Sequence, residues 1–211
     1  MNAAHTLFVF ATRAEADPLL ATFGDIVCSQ SNESHLFRCG SAARLLLTGM
    51  GPDAAGRVLR EELARVRPAA VVNAGIAGAL HAGFGLGDLV DVEATAHAAP
   101  GAAANFDFLA LVGQRPAWWP RDLRRGRLLT RTQPLFDANE AAQLAASADL
   151  VDMEGAAIAQ ACADAGIPCA VIKAVSDFAD DRATLLSNLA GASHALAQVL
   201  RTAFGSPAFQ E

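Results

Sequence analysis

The chain lacks tyrosine altogether, has Lys173 as its only lysine, and carries just 18% charged residues in a length of 211. It also lacks any basic excess. Its 16 Lys and Arg against 22 Asp and Glu leave a formal net charge of −6. That balance argues against a general nucleic-acid binder, which would normally show a basic face. No apolar run approaches the ~20 residues needed to span a bilayer, so no membrane partner is expected. The N-terminal stretch through Arg13 has neither the basic start nor the small-residue cleavage site of a signal peptide. The cysteines Cys28, Cys39, Cys162 and Cys169 form no CxxC pair and no zinc-type spacing with histidine. They are expected as reduced, mostly buried thiols of a cytoplasmic protein, with no metal and no cofactor. What the chain does have is 53% hydrophobic residues, which excludes disorder. Its length can bury most of that apolar surface in one core. No composition break divides it, so one domain is expected over 1–211.

Short apolar runs predict buried strands at Leu7–Ala11, Arg44–Thr48, Ala70–Ala74, Asp88–Val92, Leu128–Thr130, Asp149–Met153 and Ala170–Val175. They are near-continuous rather than alternating, as expected of a sheet covered on both faces. Helical patterns lie between them. Asp53–Val66 puts Ala55, Val58, Leu59, Leu63 and Val66 on one stripe. Gly155–Ala165 reads as a small-residue helix, capped by Gly166 and stopped by Pro168. Leu185, Leu189, Ala192, Leu196, Val199 and Ala203 mark a last long helix. The alternation predicts an α/β fold, a three-layer α/β/α sandwich around a central mixed sheet. Ala94–Arg125 has no clear period and carries Pro100, Pro116, Pro120, Phe106, Phe108, Trp118 and Trp119. It reads as a long loop whose aromatics need a partner.

Ligands of α/β sheets gather beyond the carboxyl ends of strands, so polar residues there are the first candidates. Glu15 follows the first strand. It reads as a capping-box partner of Thr12, or, if Asp17 caps a helix beginning at Pro18, as a group free to face a cleft. In VVNAGIAGAL, Gly75 and Gly78 permit either a tight turn or close backbone approach to a ligand, and Thr48–Pro52 with Met50 invites the same reading. Asp152 and Glu154 flank Met153 where a strand becomes a helix, a costly place for two carboxylates without a partner. Lys173 sits inside an apolar strand, with Ser176 and Asp177 at its end. A lone Asp there is ordinarily a turn residue or a cap, and Lys173 is a ready counter-charge for Asp152 or Glu154.

VDMEGAAIAQAC (Val151–Cys162) followed by IKAVSDFAD (Ile172–Asp180) resembles the signature of the nucleoside phosphorylase/nucleosidase superfamily. Within it, the likeness is to the 5′-methylthioadenosine/S-adenosylhomocysteine nucleosidases. VNAGIAGAL, GDLVDV and the N-terminal AxxxE follow in family order, and the likeness runs from Leu7 to about Leu200. The resemblance implies cleavage of a purine nucleoside's N-glycosidic bond through a ribosyl-cation-like transition state. It implies Asp177 as the acid that protonates purine N7, oriented by Ser176. An ordinary Asp has a pKa of ~3.9, so burial must raise it. It implies Glu154 on the ribose hydroxyls with Met153 under the sugar, and Glu15 as base for the attacking water. Asp152, Val151, Gly75, Ile76, Ala77, Met50, Leu135 and Lys173 are placed by it around the nucleoside. Phe106 and Phe108 match loop aromatics that in the family reach the neighbouring subunit's site, so a homodimer is expected.

The chain departs from those nucleosidases in four places. Ile76 replaces a serine, Lys173 an arginine, and Pro134-Leu135 the Phe-Ile pair that stacks on adenine; Thr184–Leu189 offers no aromatic for the 5′-alkylthio pocket. Asn73-Ala74-Gly75-Ile76 carries no phosphate-binding arginine, and Glu15 would repel a phosphate dianion, so hydrolysis is expected over phosphorolysis. A phosphorylase, a nucleosidase of futalosine or adenosylated lipids, and a non-catalytic nucleoside binder remain the alternatives.

Overall fold

The computed structural model describes residues 5–23, 26–30, 35–39, 43–99, 101–102, 104–111 and 115–204; Pro100 lies outside them. Among the described residues, ten strands join in one mixed sheet. Its centre is β1 (Thr6–Phe10), β4 (Ala43–Leu47), β5 (Ala70–Ala79) and β10 (Cys169–Asp177), all mutually parallel along the path β4-β1-β5-β10. Side chains alternate strictly between two cores, as strand geometry requires. Leu7, Val9, Leu46, Val71 and Val171 belong to one, and Phe8, Phe10, Leu45, Val72 and Ile172 to the other. Helices α2 (Pro52–Leu63) and α4 (Gly155–Ala165) cover the first face through Val58, Leu59, Ile158 and Cys162. Helices α1 (Arg13–Leu20) and α5 (Arg182–Phe204) cover the second through Leu19, Leu20, Leu196 and Leu200. The three-layer α/β/α arrangement is therefore the expected one, and no described helix is long and apolar enough to cross a membrane.

The sheet does more than lie flat between helices. β5 is ten residues long. It pairs with β10 along one edge, while its other edge serves β1 through Asn73 and then β9 (Leu150–Asp152) at Gly78 and Ala79. β9 pairs with β8 (Arg124–Thr130), β8 with β6 (Leu89–His97), and β6 returns to β10. Five strands thus close on themselves. Because β9 runs antiparallel to β5 from Gly78, its carboxyl end points back along β5, bringing Asp152–Glu154 towards the carboxyl ends of β1 and β10.

Several boundaries differ from the sequence reading. Ala74 does not end a strand; β5 continues through Gly75 and Gly78 without a turn. Helix α1 begins at Arg13 with Thr12 as its cap, so the alternative start at Pro18 is wrong, and Pro18 lies inside the helix. β2 (Ile26–Gln30), β3 (His35–Cys39) and α3 (Ala138–Leu144) were not legible, being short and at the sheet's edge or surface. The Ala94–Arg125 stretch is not one loop. β6 runs into it as far as His97, β7 (Leu109–Ala110) pairs with β6, and β8 begins at Arg124. Its tryptophans find cover within the chain. Trp119 is buried, Trp118 lies 5.9 Å from Phe8, and the Arg115 guanidinium sits 5.7 Å over Trp119. Gly166 ends α4 in the left-handed region at φ 62°, as expected of a C-terminal glycine. Cys39, Cys162 and Cys169 are buried and Cys28 is exposed, and none of the four is in a disulfide among the described residues.

Candidate active site

A cleft of about 650 Å³ opens where β1, β5, β9 and β10 end, and it is built around carboxylates. Glu15 is held from two sides. Its Oε2 accepts the Thr12 N–H at 2.9 Å and the Thr12 hydroxyl at 2.7 Å, while Oε1 accepts the Ile76 N–H at 3.1 Å. The capping role and the cleft-facing role, which the sequence set against each other, coexist in one side chain. Gly75 makes this possible: a Cβ there would stand 2.8 Å from Glu15 Oε1 and 3.4 Å from Lys173 Nζ. The group replaced by the Ile76 substitution is a side chain, whereas Glu15 uses the Ile76 backbone, which any residue supplies.

Asp152 is held by three donor groups, as Glu15 is. Its Oδ1 accepts the Thr130 hydroxyl at 2.6 Å, and its Oδ2 accepts the Gly155 N–H at 2.9 Å and faces Lys173 Nζ at 2.7 Å. Lys173 is fully buried. Burial opposes its charge, but Asp152 and Glu154, with Glu15 beyond them, hold its pKa above the ordinary lysine range. It is a fixed cation beneath the carboxylates. Glu154 precedes α4, and among the described residues its carboxyl accepts one hydrogen bond, the Gly51 N–H at 2.7 Å to Oε1. Burial foremost, then the nearby Asp152 charge, push its carboxyl up to about 8, despite the opposing pull of Lys173 and the Gly51 N–H.

That shift has a sign. The unfolded chain loses the Glu154 proton from about pH 4.5, the folded chain only near 8. The folded state therefore binds more protons between those values, and its stability falls as pH rises through that window. The wild-type melting temperature should drop from pH 5 to pH 8 by ~3 °C or more beyond any drop in Glu154→Gln, as expected for ~1 kcal/mol in a chain of this size. Parallel melting curves for the two proteins would contradict it.

Asp177 ends β10. The register with β5 shifts between Val175 and Asp177, leaving Ser176 as an extra residue opposite β5. Such a bulge re-aims side chains, and here consecutive Ser176 and Asp177 both line the cleft. The Ser176 hydroxyl donates to Asp177 Oδ2 at 2.7 Å, and the Ala179 N–H donates to Oδ1 at 2.8 Å. Ala179 makes that bond from φ 57°, a strained conformation for a residue with a Cβ. Burial raises the Asp177 carboxyl above its usual range; both hydrogen bonds pull it down, and Asp180 and Asp181 push it up again. Gly78 is the second glycine with a purpose, since a Cβ there would lie 2.8 Å from Asp177 Oδ1.

The walls also include Met50, Ile76, Ala77, Leu135, Val151 and Met153, all named from sequence. Gly75 and Lys173 lie behind the walls, making room and supplying charge rather than lining the cleft. Phe106 and Phe108 are not among its walls either. They stack edge to face at 6.3 Å and pack against a cluster that contains the wall residues Leu135 and Val151. Sequence reading missed Thr12 as a wall residue, although the capping box signals it, and it missed Phe136 and the α5 face of Arg182, Leu185, Leu186 and Leu189. The helical spacing of those four was readable, but nothing local said which face α5 turns to the cleft.

Comparison with known proteins bears on this geometry. The family model described as the phosphorylase superfamily matches residues 6–204. The 5′-methylthioadenosine/S-adenosylhomocysteine nucleosidase of Bacillus cytotoxicus is 29% identical over 161 residues, 66% of this chain and 70% of the relative. Among solved structures, the Helicobacter pylori nucleosidase of that name, in complex with a pyrrolopyrimidine-bearing pyrrolidinol, superposes with a TM-score of 0.85 at 19% identity, covering 96% of this chain and 98% of the other. The futalosine hydrolase of Helicobacter pylori superposes with a TM-score of 0.84 at 18% identity, covering 94% and 97%. These last two likenesses show the fold.

Proposed function

Because the chain belongs to the phosphorylase superfamily, we propose that it is a purine nucleosidase, hydrolysing the ribosyl–base bond of a 5′-substituted, adenosine-like nucleoside. The observation that carries this reading is the convergence of Glu15, Glu154 and Asp177, all buried, from three strand ends on one apolar cleft. Each faces a different task. Asp177, its carboxyl raised by burial and held by Ser176, keeps a proton to give to the leaving purine. Glu154, whose carboxyl has a single donor among the described residues, has oxygen capacity left for the ribose hydroxyls, over Met153. Glu15, fixed by three donors, is pre-aimed as the base for water. An acid on the leaving group and a separate carboxylate on the water is the division of labour of inverting glycoside hydrolysis.

Water rather than phosphate is favoured by charge. Arg13, the basic residue nearest Glu15 in sequence, does not line the cleft; it pairs with Asp17 and sits 5.1 Å over Phe37. A phosphate dianion at the Glu15 position would meet a carboxylate instead of a cation. The relatives named above as methylthioadenosine/adenosylhomocysteine nucleosidases support the reaction class. Base release from methylthioadenosine, adenosylhomocysteine, futalosine, adenosine and inosine, with and without phosphate, tests the reading. At least one 5′-substituted nucleoside should release its base without phosphate; no release from any of them would refute it.

The reading includes a homodimer in which Phe106 or Phe108 approaches the partner's cleft. Both are half-buried on their own chain and keep apolar edge to offer. Sedimentation at micromolar concentration should give a dimer, and a stable, fully active monomer would exclude the arrangement.

A further inference from the structure

The proposed chemistry accounts for the strand-end side of the cleft but leaves the helical side unexplained. With the base at Asp177, the ribose at Glu154 and water at Glu15, the wall not yet used is the α5 face of Leu185, Leu186 and Leu189, with Met50. These residues do not look like buried core. Met50 is 69% exposed and Leu186 59%, the largest and third-largest exposures among the large apolar side chains described. Apolar side chains standing in water at the rim of a cleft mark a binding surface. A nucleoside has one part left to lie there, its 5′-substituent.

The same helix face carries Arg182, one turn before Leu185 and Leu186. Arg182 is the only cationic side chain among the described residues that line the cleft. It makes no hydrogen bond or ion pair among the described residues, although Asp180 and Asp181 precede it. Asp181 is otherwise engaged: its Oδ1 accepts the Ala183 N–H at 3.1 Å, and its Oδ2 accepts the Thr184 N–H and hydroxyl, both at 2.8 Å. A guanidinium beside three leucines, left unpaired by its own neighbours, is suited to bidentate capture of a ligand carboxylate.

Resting on the nucleosidase reading, we propose that the substrate's 5′-substituent is apolar along its length and ends in an anion, a carboxylate, held by Arg182. The substituent lies along Leu185, Leu186 and Leu189, and its charged end reaches the start of α5. Arg182 is thus a specificity-determining residue, and the departure from an aromatic in this segment is a change of ligand chemistry rather than a loss of the subsite. The ordinary alternative is that the Arg182 stem merely covers leucine while its head stays in water.

Three 5′-thioadenosines with the same four-atom chain separate these cases: butylthio, 3-carboxypropylthio and 3-aminopropylthio. Steady-state kcat/KM for adenine release is measured with wild type, Arg182→Met and Arg182→Lys. Wild type should prefer the carboxylate over the butyl compound by ~10-fold, the worth of one charge-assisted hydrogen bond of ~1.4 kcal/mol, and should rank the ammonium compound last. Arg182→Met should lose the carboxylate-to-butyl preference, and Arg182→Lys should keep part of it. Equal wild-type values for carboxylate and butyl, or an unchanged preference in Arg182→Met, would overturn the proposal. So would base release that requires inorganic phosphate, with Arg182→Met raising the KM for phosphate, because Arg182 would then hold the free anion. Release of adenine from none of the three compounds would instead bring down the nucleosidase reading itself.

Discussion

Asp177→Asn should lower kcat for base release by ~10²-fold or more, the usual worth of a general acid, without unfolding the protein. The asparagine is nearly isosteric, and its oxygen can still accept from the Ser176 hydroxyl, which now holds Asp177 Oδ2 at 2.7 Å. Its amide cannot deliver a proton to a leaving purine. The pH profile sharpens the test. Burial raises the Asp177 carboxyl, so wild-type activity that depends on its protonated form falls as pH rises through that elevated value. The residual activity of Asp177→Asn should lack this alkaline limb. A variant retaining more than about a tenth of the wild-type kcat would remove Asp177 from the acid role.

Glu15→Gln should be comparably damaging to turnover, again ~10²-fold or more, but it must be read beside a stability measurement. Glu15 closes a capping box with Thr12 and also accepts from Ile76. A glutamine has one acceptor oxygen where the carboxylate has two, so at least one of those donors is left short. That costs on the order of 1 kcal/mol, or ~2–4 °C in a chain of this length. A drop in melting temperature of that size with kcat nearly abolished fits a group that is both cap and base. The same drop with turnover intact would leave Glu15 as a cap alone.

What the sequence disclosed and what it hid follow from how local each signal is. The central strands were legible because burial on both faces makes their sequences near-continuous apolar runs, as in Ala70–Ala74 and Ala170–Val175, each interrupted by one polar residue, Asn73 or Lys173. Asp152 and Glu154 stood out because two carboxylates at the end of such a run are costly without a partner, whereas Asp177 read locally as a turn residue or cap and took its role only from the family likeness. The closed ring of five strands was not legible, since it depends on β5 serving β1 and β9 on one edge, and no local pattern encodes the sharing of an edge. The glycines of β5 invited a turn because glycine usually marks backbone freedom. Here Gly75 and Gly78 instead make room for side chains from α1 and β10. The dilemma over Glu15 arose from treating its two oxygens as one group; Oε2 caps the helix and Oε1 faces β5. Lys173 was recognisable as a counter-charge, but that it serves Asp152 from behind the wall, instead of touching the cleft, needed the fold. The tryptophans misled for a related reason: their partners, Phe8 and Arg115, come from the sheet's face and from within the same segment.

The central claim is that water, activated at Glu15, is the nucleophile at the ribose carbon. Its most direct measurement is a turnover in ¹⁸O-enriched water containing unlabelled phosphate, with the sugar product analysed by mass spectrometry. The account predicts a free reducing sugar carrying one ¹⁸O, in equal yield with and without phosphate, read at times short compared with spontaneous exchange. A sugar 1-phosphate, or base release that begins only when phosphate is added, would contradict it.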